Sequence, residues 1–380
     1  MLNLALGFIS SFCMTLLIVR FGGRYGALSL DHDLKGVQKN HSYPVPRIGG
    51  IALMVAACVT FTLGGTVFDG NPLGESMLLL LCAAPAFASG VIEDLTKRVS
   101  VRARLLSAML AALVGVFLLN GVIGRVDLPL IDPILSVAPI AIGLTVLAVA
   151  GLTNAVNIID GFNGLAAVVS ILIFGSIGYV AHEVGDWLVM SVALTMIGAI
   201  GGFAIWNYPA ASIFLGDGGA YFIGFTIAEL LVLLVARHPN ICAWYPIVVA
   251  IYPAFETLFS IYRRRIVRGR PVGAPDGIHL HTLIFKRVVR KGTDPRQRQR
   301  RNARTSPYLW VLSMIGIVPA SLFWHNPVVL AVTAVVFVVA YVWLYTAIVR
   351  FRTPRWLVSS QGIVTAPVPE QTHHKQSERS

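Results

Sequence analysis

Apolar residues run along this chain in long blocks, at about 2–19, 49–65, 78–92, 105–119, 134–152, 164–181, 187–206, 213–236, 242–262, 307–323 and 326–349. Each block is near the ~20 residues that carry a helix across bilayer hydrocarbon, the shorter ones marginally so. The pattern predicts an all-α, polytopic integral membrane protein of about 11 transmembrane helices. Eleven crossings alternate the connecting segments between two sides, and the alternation sorts the charges. One side takes Arg20, Arg24, Lys35, Lys39 and Arg47, then Lys97, Arg98, Arg102 and Arg104, then 14 basic residues from Arg263 to Arg304 and five in the C-terminal tail. The other side takes only Arg125 and Arg237 of the 30 Lys and Arg, beside Asp69, Glu75, Asp127, Asp132, Glu183 and Asp186. Basic loops stay cytoplasmic. The expected orientation therefore has the N-terminus outside and the C-terminus cytoplasmic.

Composition excludes the soluble alternatives. Hydrophobic residues make up 56% and charged residues 13%, too few charges to solvate a soluble domain of 380 residues. The net charge of +12 would suit a nucleic-acid binder. Its confinement to membrane-flanking segments is explained instead by orientation and anionic headgroups, so no nucleic-acid partner is expected. The first block is not a cleavable signal, because its first charge, Arg20, follows the apolar run. Cys13, Cys58, Cys82 and Cys242 lie inside apolar blocks without CxxC spacing and read as packing residues. No linker divides the chain. We expect one membrane domain over 1–355, with cytoplasmic segments at about 20–48, 93–104, 153–163, 207–217 and 263–306, and a polar, disordered tail over 356–380.

Five of those segments hold residues that a simple connection does not need. The first joins Lys39, Asn40 and His41 to Pro44, Pro46, Arg47 and the pair Gly49-Gly50, a basic turn suited to an anion. The second is Glu93-Asp94, with Lys97 one turn on; these acids could hold a metal, activate an acidic nucleophile or pair with the lysine. The third spaces Asn154, Asn157, Asp160 and Asn163 three apart, which suits a helix end giving way to a loop at Gly161 and Gly164. Polar residues gathered at a membrane boundary mark a site more often than a cap. The fourth wraps Asp217 in Gly216, Gly218 and Gly219, as a metal–phosphate site or a helix cap would. The fifth, Asp276-Gly-Ile-His279-Leu-His281, suits phosphate binding; a zinc site would need further ligands. Glu229 lies deep in its block, and Glu256 is placed to pair with Arg263 and Arg264 at a helix end.

In this order, KNHSYPVPRIGG, GVIEDLTKR, NAVNIIDGFNGLA, FLGDGGAYFIGF and PAFETLFSIYRRR with PDGIHLH resemble the polyprenyl-phosphate N-acetylhexosamine-1-phosphate transferases of glycosyltransferase family 4. The resemblance runs from about Asp31 to His281 and includes enzymes that initiate O-antigen and enterobacterial common antigen, related to the lipid I-forming peptidoglycan enzyme. It implies transfer of a sugar-1-phosphate from a UDP-N-acetylated sugar to undecaprenyl phosphate, with release of UMP. Magnesium is the implied cofactor, with manganese as an alternative, and a homodimer would be unsurprising. Asp217 matches the family's magnesium-binding Asp. Asp94 matches the second acid of an Asp-Asp pair, which would engage the lipid phosphate or the metal. Glu93, Lys97 and Asp160 complete the implied catalytic set. Substrate contacts are implied for Lys39, His41 and Arg47, for Asn154 and Asn157, and for Gly161 and Asn163 near the nucleoside. They are also implied for Arg263, Arg264 and Asp276, and for His279 and His281 near the pyrophosphate.

Three positions depart from the family pattern. Glu93 replaces the first Asp of the pair, Asn163 stands where many members have Asp, and Thr282 where peptidoglycan-type members have another His. The first two leave open a catalytically inactive relative. A transporter or flippase for an anionic substrate is the rival from another class. Transporters place ionisable residues at the membrane midplane, whereas the acids here gather at one face and only Glu229 lies deep.

Overall fold

The computed structural model describes residues 1–22, 45–67, 73–269, 277–289 and 295–352. These residues form 14 α-helices and no extended strand. The first seven are α1 (Leu2–Gly22), α2 (Gly49–Val67), α3 (Leu73–Thr96), α4 (Val101–Leu119), α5 (Asp132–Leu135), α6 (Ala138–Ile159) and α7 (Leu165–Val184). The rest are α8 (Trp187–Asn207), α9 (Gly216–Arg237), α10 (Tyr245–Val249), α11 (Ile251–Tyr262), α12 (Leu280–Arg287), α13 (Pro295–Leu322) and α14 (Pro327–Val349).

Nine helices among the described residues are long and apolar enough to cross a membrane: α1, α3, α4, α6, α7, α8, α9, α13 and α14. Two of the eleven expected crossings are not among these nine. The described apolar stretch of α2 is Gly49–Leu63. The block at 242–262 is broken into α10 and α11 at Ala250. Pro253 accounts for the break, because it has no N–H for the Val249 carbonyl and its ring crowds that turn. The basic segment expected as a loop over 263–306 is largely helical. It contains a π-helical turn at Arg263–Val267, then α12 and the polar first turns of α13.

The bundle is organised around α9. Residues Gly216–Leu234 are all buried, and the helix packs against α2, α3, α4, α6 and α7. Small residues allow this: Gly224, for example, lies so close to α6 that a Cβ would sit 2.8 Å from the Thr153 Cα and carbonyl oxygen. By contrast α14 presents Val328, Val332, Val335, Val336, Val339 and Trp343 outward, as a lipid-facing helix does. The starts of α4, α9 and α12, the ends of α3, α6 and α8 and the polar part of α13 meet at one end of the bundle, where their residues line a cavity. At the opposite end, Arg125 donates to the carbonyls of Pro239 and Ile241, and Arg237 pairs with Glu75 at 2.8 Å.

Candidate active site

The glycines that surround Asp217 bring backbones together. A Cβ on Gly50 would lie 2.2 Å from the Gly219 nitrogen, and one on Gly90 would lie 2.5 Å from the Gly218 nitrogen. Helices α2 and α3 thus both touch the first turn of α9 through bare backbone, which no other residue type permits. The start of α2 is fixed from the same place: Gly49 and Gly50 donate to the carbonyls of Phe214 and Leu215 at 3.0 and 2.9 Å. Gly216 has φ 77°, the left-handed conformation that favours glycine, and a Cβ there would collide with the Arg47 carbonyl and the Asp94 carboxylate.

This packing separates the roles of the two central acids. The Asp94 carboxylate, buried at the end of α3, accepts the backbone N–H of Asp217 at 2.9 Å and of Gly218 at 2.9 Å. It therefore caps α9 from a neighbouring helix, satisfying two donors that a helix N-terminus leaves unpaired. Asp217, the other candidate for a cap, is released from that task. Its Oδ1 receives Arg47 Nη2 at 3.2 Å and its Oδ2 receives Arg104 Nη1. Arg47 Nε also stands 3.8 Å from Asp94. Glu93, the first acid of the Glu93-Asp94 pair, accepts the backbone N–H of Val99 at 2.8 Å, closing the turn between α3 and α4, and also lines the cavity.

The cavity, ≈ 400 Å³, opens between this charged wall and a second wall built from the α6–α7 turn, α12 and α13. Helix α6 ends at Ile159, Asp160 is its C-cap, and Gly164 at φ 71° starts α7. The turn is pinned from two helices, α8 and α13. Asn207 accepts from the Gly164 N–H, Asn302 accepts from the Asn163 N–H, and Ser306 donates to the Asn163 carbonyl. The Asn163 Nδ2 donates to the Pro209 carbonyl at 3.2 Å, so its carboxamide serves the turn. Asn157 contributes a buried Nδ2 with no hydrogen-bond partner. Loss of hydration raises the Asp160 carboxyl well above the usual carboxylate range, and the Arg47 charge partly offsets this.

His279 and His281 enter the cavity from the start of α12 with rings stacked at 5.1 Å. Glu256 fixes the first of them: its Oε1 meets His279 Nδ1 at 2.9 Å and the Leu280 N–H at 3.2 Å, while Tyr341 donates to Oε2 at 2.9 Å. The helix-end ion pair with Arg263 or Arg264 expected for Glu256 is thus replaced by a buried contact with histidine and tyrosine. Arg263 instead donates to the Ile278 carbonyl and to Tyr345, both at 2.9 Å, which holds the segment carrying the histidines.

Of the residues singled out from sequence, Arg47, Glu93, Asn157, Asp160, Gly161, Asn163, Asp217, His279 and His281 line the cavity. Asp94 lies directly behind Asp217. Asn154, Lys97, Arg263 and Arg264 are not in the lining, and Lys97 is exposed at a positive φ. Lys39, His41 and Asp276 lie outside the described residues, as does the tail at 356–380. Sequence reasoning missed Arg104, Asn207 and Asn302. Arg104 looked like one more orientation charge, and neither asparagine stands in a motif.

With this geometry in place, the likeness to known proteins can be stated. The profile of glycosyl transferase family 4 matches residues 76–235, which carry both acids of the charged wall and the polar end of α6. The chain is 28% identical over 297 residues to a probable undecaprenyl-phosphate N-acetylglucosaminyl 1-phosphate transferase of Bacillus subtilis, covering 75% of this chain and 78% of the relative. To the undecaprenyl-phosphate alpha-N-acetylglucosaminyl 1-phosphate transferase of Escherichia coli K12 it is also 28% identical, covering 75% and 77%. A shorter likeness, 33% over 111 residues, links it to the phospho-N-acetylmuramoyl-pentapeptide-transferase of Lactobacillus gasseri, 29% of this chain and 33% of that one.

Proposed function

We propose that this protein transfers an N-acetylhexosamine-1-phosphate from a UDP-sugar to undecaprenyl phosphate. A lipid phosphate oxygen attacks the sugar-proximal phosphorus, the anhydride bond to UMP breaks, and UMP leaves as the undecaprenyl-pyrophosphoryl sugar forms. The observation that carries the reading is Asp217, an acid that the fold does not use, held by two guanidinium groups in a polar cavity at the bundle end. Bringing an anionic lipid phosphate against an anionic pyrophosphate is the main obstacle, and Arg47 and Arg104 are placed to neutralise it. When substrate phosphates enter, they offer the guanidinium groups better bidentate partners than one carboxylate.

The donor set fits magnesium. Among the described residues no group of three or more His, Cys, Asp or Glu is gathered as a closed metal cage. Magnesium does not need one, since it commonly takes one or two carboxylates with water and substrate phosphates. Asp217 would hold it, with Asp160 across the cavity as the second oxygen donor. When bound, it would add charge neutralisation on the phosphates. Asp94 acts by fixing the position of Asp217, its two oxygens being engaged with backbone.

We place the cavity on the cytoplasmic face of the bacterial inner membrane, with eleven crossings, because the basic segments gather at that end. There the lipid phosphate is presented at the interface while its chain stays in hydrocarbon. The expected role is the first membrane step of O-antigen or another surface polysaccharide. The test follows UMP release from a panel of UDP-N-acetyl sugars by protein in detergent, with and without undecaprenyl phosphate and magnesium. Release that depends on both supports the reading, and Asp217→Asn should remove it while leaving the protein folded. Release from no donor, or near-normal turnover by Asp217→Asn, would overturn the reading or the role of Asp217 respectively.

A further inference from the structure

The two walls of the cavity differ in chemistry. Arg47 and Arg104 stand on the wall formed by residues 45–48, α3, α4 and α9. On the wall formed by the α6–α7 turn, α12 and α13, no lining residue among the described ones is Lys or Arg; the titratable groups among them are Asp160, His279 and His281. Asn302, from the first turns of α13, lines this second wall and is 5% exposed. Its Oδ1 accepts the backbone N–H of Asn163 at 2.8 Å. A backbone N–H can only donate, so this contact fixes which end of the carboxamide is the oxygen. Nδ2, with its two N–H donors, makes no hydrogen bond with any described residue. Holding the turn uses the oxygen and leaves the two amide N–H donors for another acceptor.

We propose that Asn302 is a specificity-determining residue, whose Nδ2 donates to an uncharged carbonyl of the sugar nucleotide, in its nucleobase or its N-acyl group. This rests on the sugar-nucleotide reading given above. Phosphate oxygens, which carry the charge, belong with the guanidinium wall. A neutral amide in a wall with no Lys or Arg among its described residues suits a neutral acceptor.

The test compares the full chain with its Asn302→Ala variant in detergent, measuring binding of UDP-N-acetylglucosamine, UDP and methylenediphosphonate by calorimetry, KM and kcat by UMP release, and Tm. Loss of one neutral hydrogen bond should weaken UDP-N-acetylglucosamine binding and raise KM by about three- to tenfold, with kcat and methylenediphosphonate binding unchanged. If UDP binding weakens by the same factor, the carbonyl belongs to the nucleobase; if UDP binding is unchanged, it belongs to the N-acyl group. Equal binding of all three ligands by variant and parent would overturn the proposal. So would a uniform loss for all three together with lower kcat and Tm, which would reduce Asn302 to a support for the Asn163 turn. A parent chain that binds neither UDP nor UDP-N-acetylglucosamine would overturn the sugar-nucleotide reading itself, and this inference with it.

Discussion

Replacing Gly90 with alanine should disable the site from behind without changing any residue that lines the cavity. Gly90 lies on α3 one turn before Asp94, and an added Cβ would meet the Gly218 nitrogen at 2.5 Å and the Asp217 carbonyl carbon at 2.6 Å. Ordinary contact begins near 3.4 Å, so α3 and α9 must separate by about 0.9 Å. The obstacle is backbone, and no side-chain rotation can relieve it. Overpacking of this kind costs about 1–3 kcal/mol. The same shift would pull Asp94 away from the N–H groups of Asp217 and Gly218 and displace the Asp217 carboxylate by a similar distance. A ~1 Å misplacement of a reacting group lowers rate by about a hundredfold. The assay is lipid-dependent UMP release beside thermal melting in detergent. Gly74→Ala is the internal control: it lies on the same helix, and nothing stands within 4 Å of its added Cβ. If Gly90→Ala turns over as fast as Gly74→Ala, the close approach of α3 and α9 does not position Asp217, and the account of the glycine motif fails.

Other consequences can be measured in the same preparations. Asp94→Ala orphans two buried N–H groups at the start of α9 and should destabilise the protein by roughly 3 kcal/mol or more; a melting temperature equal to the parent's would show that the cap is dispensable. Gly115→Ala would place a Cβ 2.8 Å from Oε1 of Glu229, a fully buried side chain that Gly121 also makes room for. It should cost about 1–3 kcal/mol, and Glu229→Ala should relieve much of that cost; additive effects in the double variant would refute the contact. Because Arg47 and Arg104 already balance Asp217, chelating divalent cations should stop turnover while leaving the melting temperature within about a degree. A large drop in melting temperature on chelation would mean that a metal holds the fold.

Much of the site was legible because its chemistry is local in sequence. Asp160 and Asn157 stand out as polar residues in an apolar context, where they are expensive to keep, and Gly161 and Gly164 mark the turn that the structure contains. Asp217 among glycines was legible as a candidate acid, and it does line the cavity. The reason for the glycines was not: they admit α2 and α3, which come from more than a hundred residues away. Asn302 and Asn207 had no signal at all, since a single asparagine at a helix end is ordinary until a distant turn is seen to lean on it.

Hydrophobic blocks alone determined that this is an all-helical chain with membrane-spanning helices, because a helix that satisfies its own backbone is the simplest solution in lipid. Charge placement determined which ends share a side. The tertiary structure decided which helix is central: α9, interrupted by Asp217 and Glu229, is buried almost throughout, while the uniformly apolar α14 faces outward. Hydropathy could not make that distinction, because lipid and protein interior are equally apolar to a leucine or a valine. The structure also decided that of two neighbouring acids Asp94 caps a helix and Asp217 faces the cavity. That choice depends on which carboxylate reaches the free N–H groups at the start of α9, a matter of helix packing that spacing along the chain does not encode.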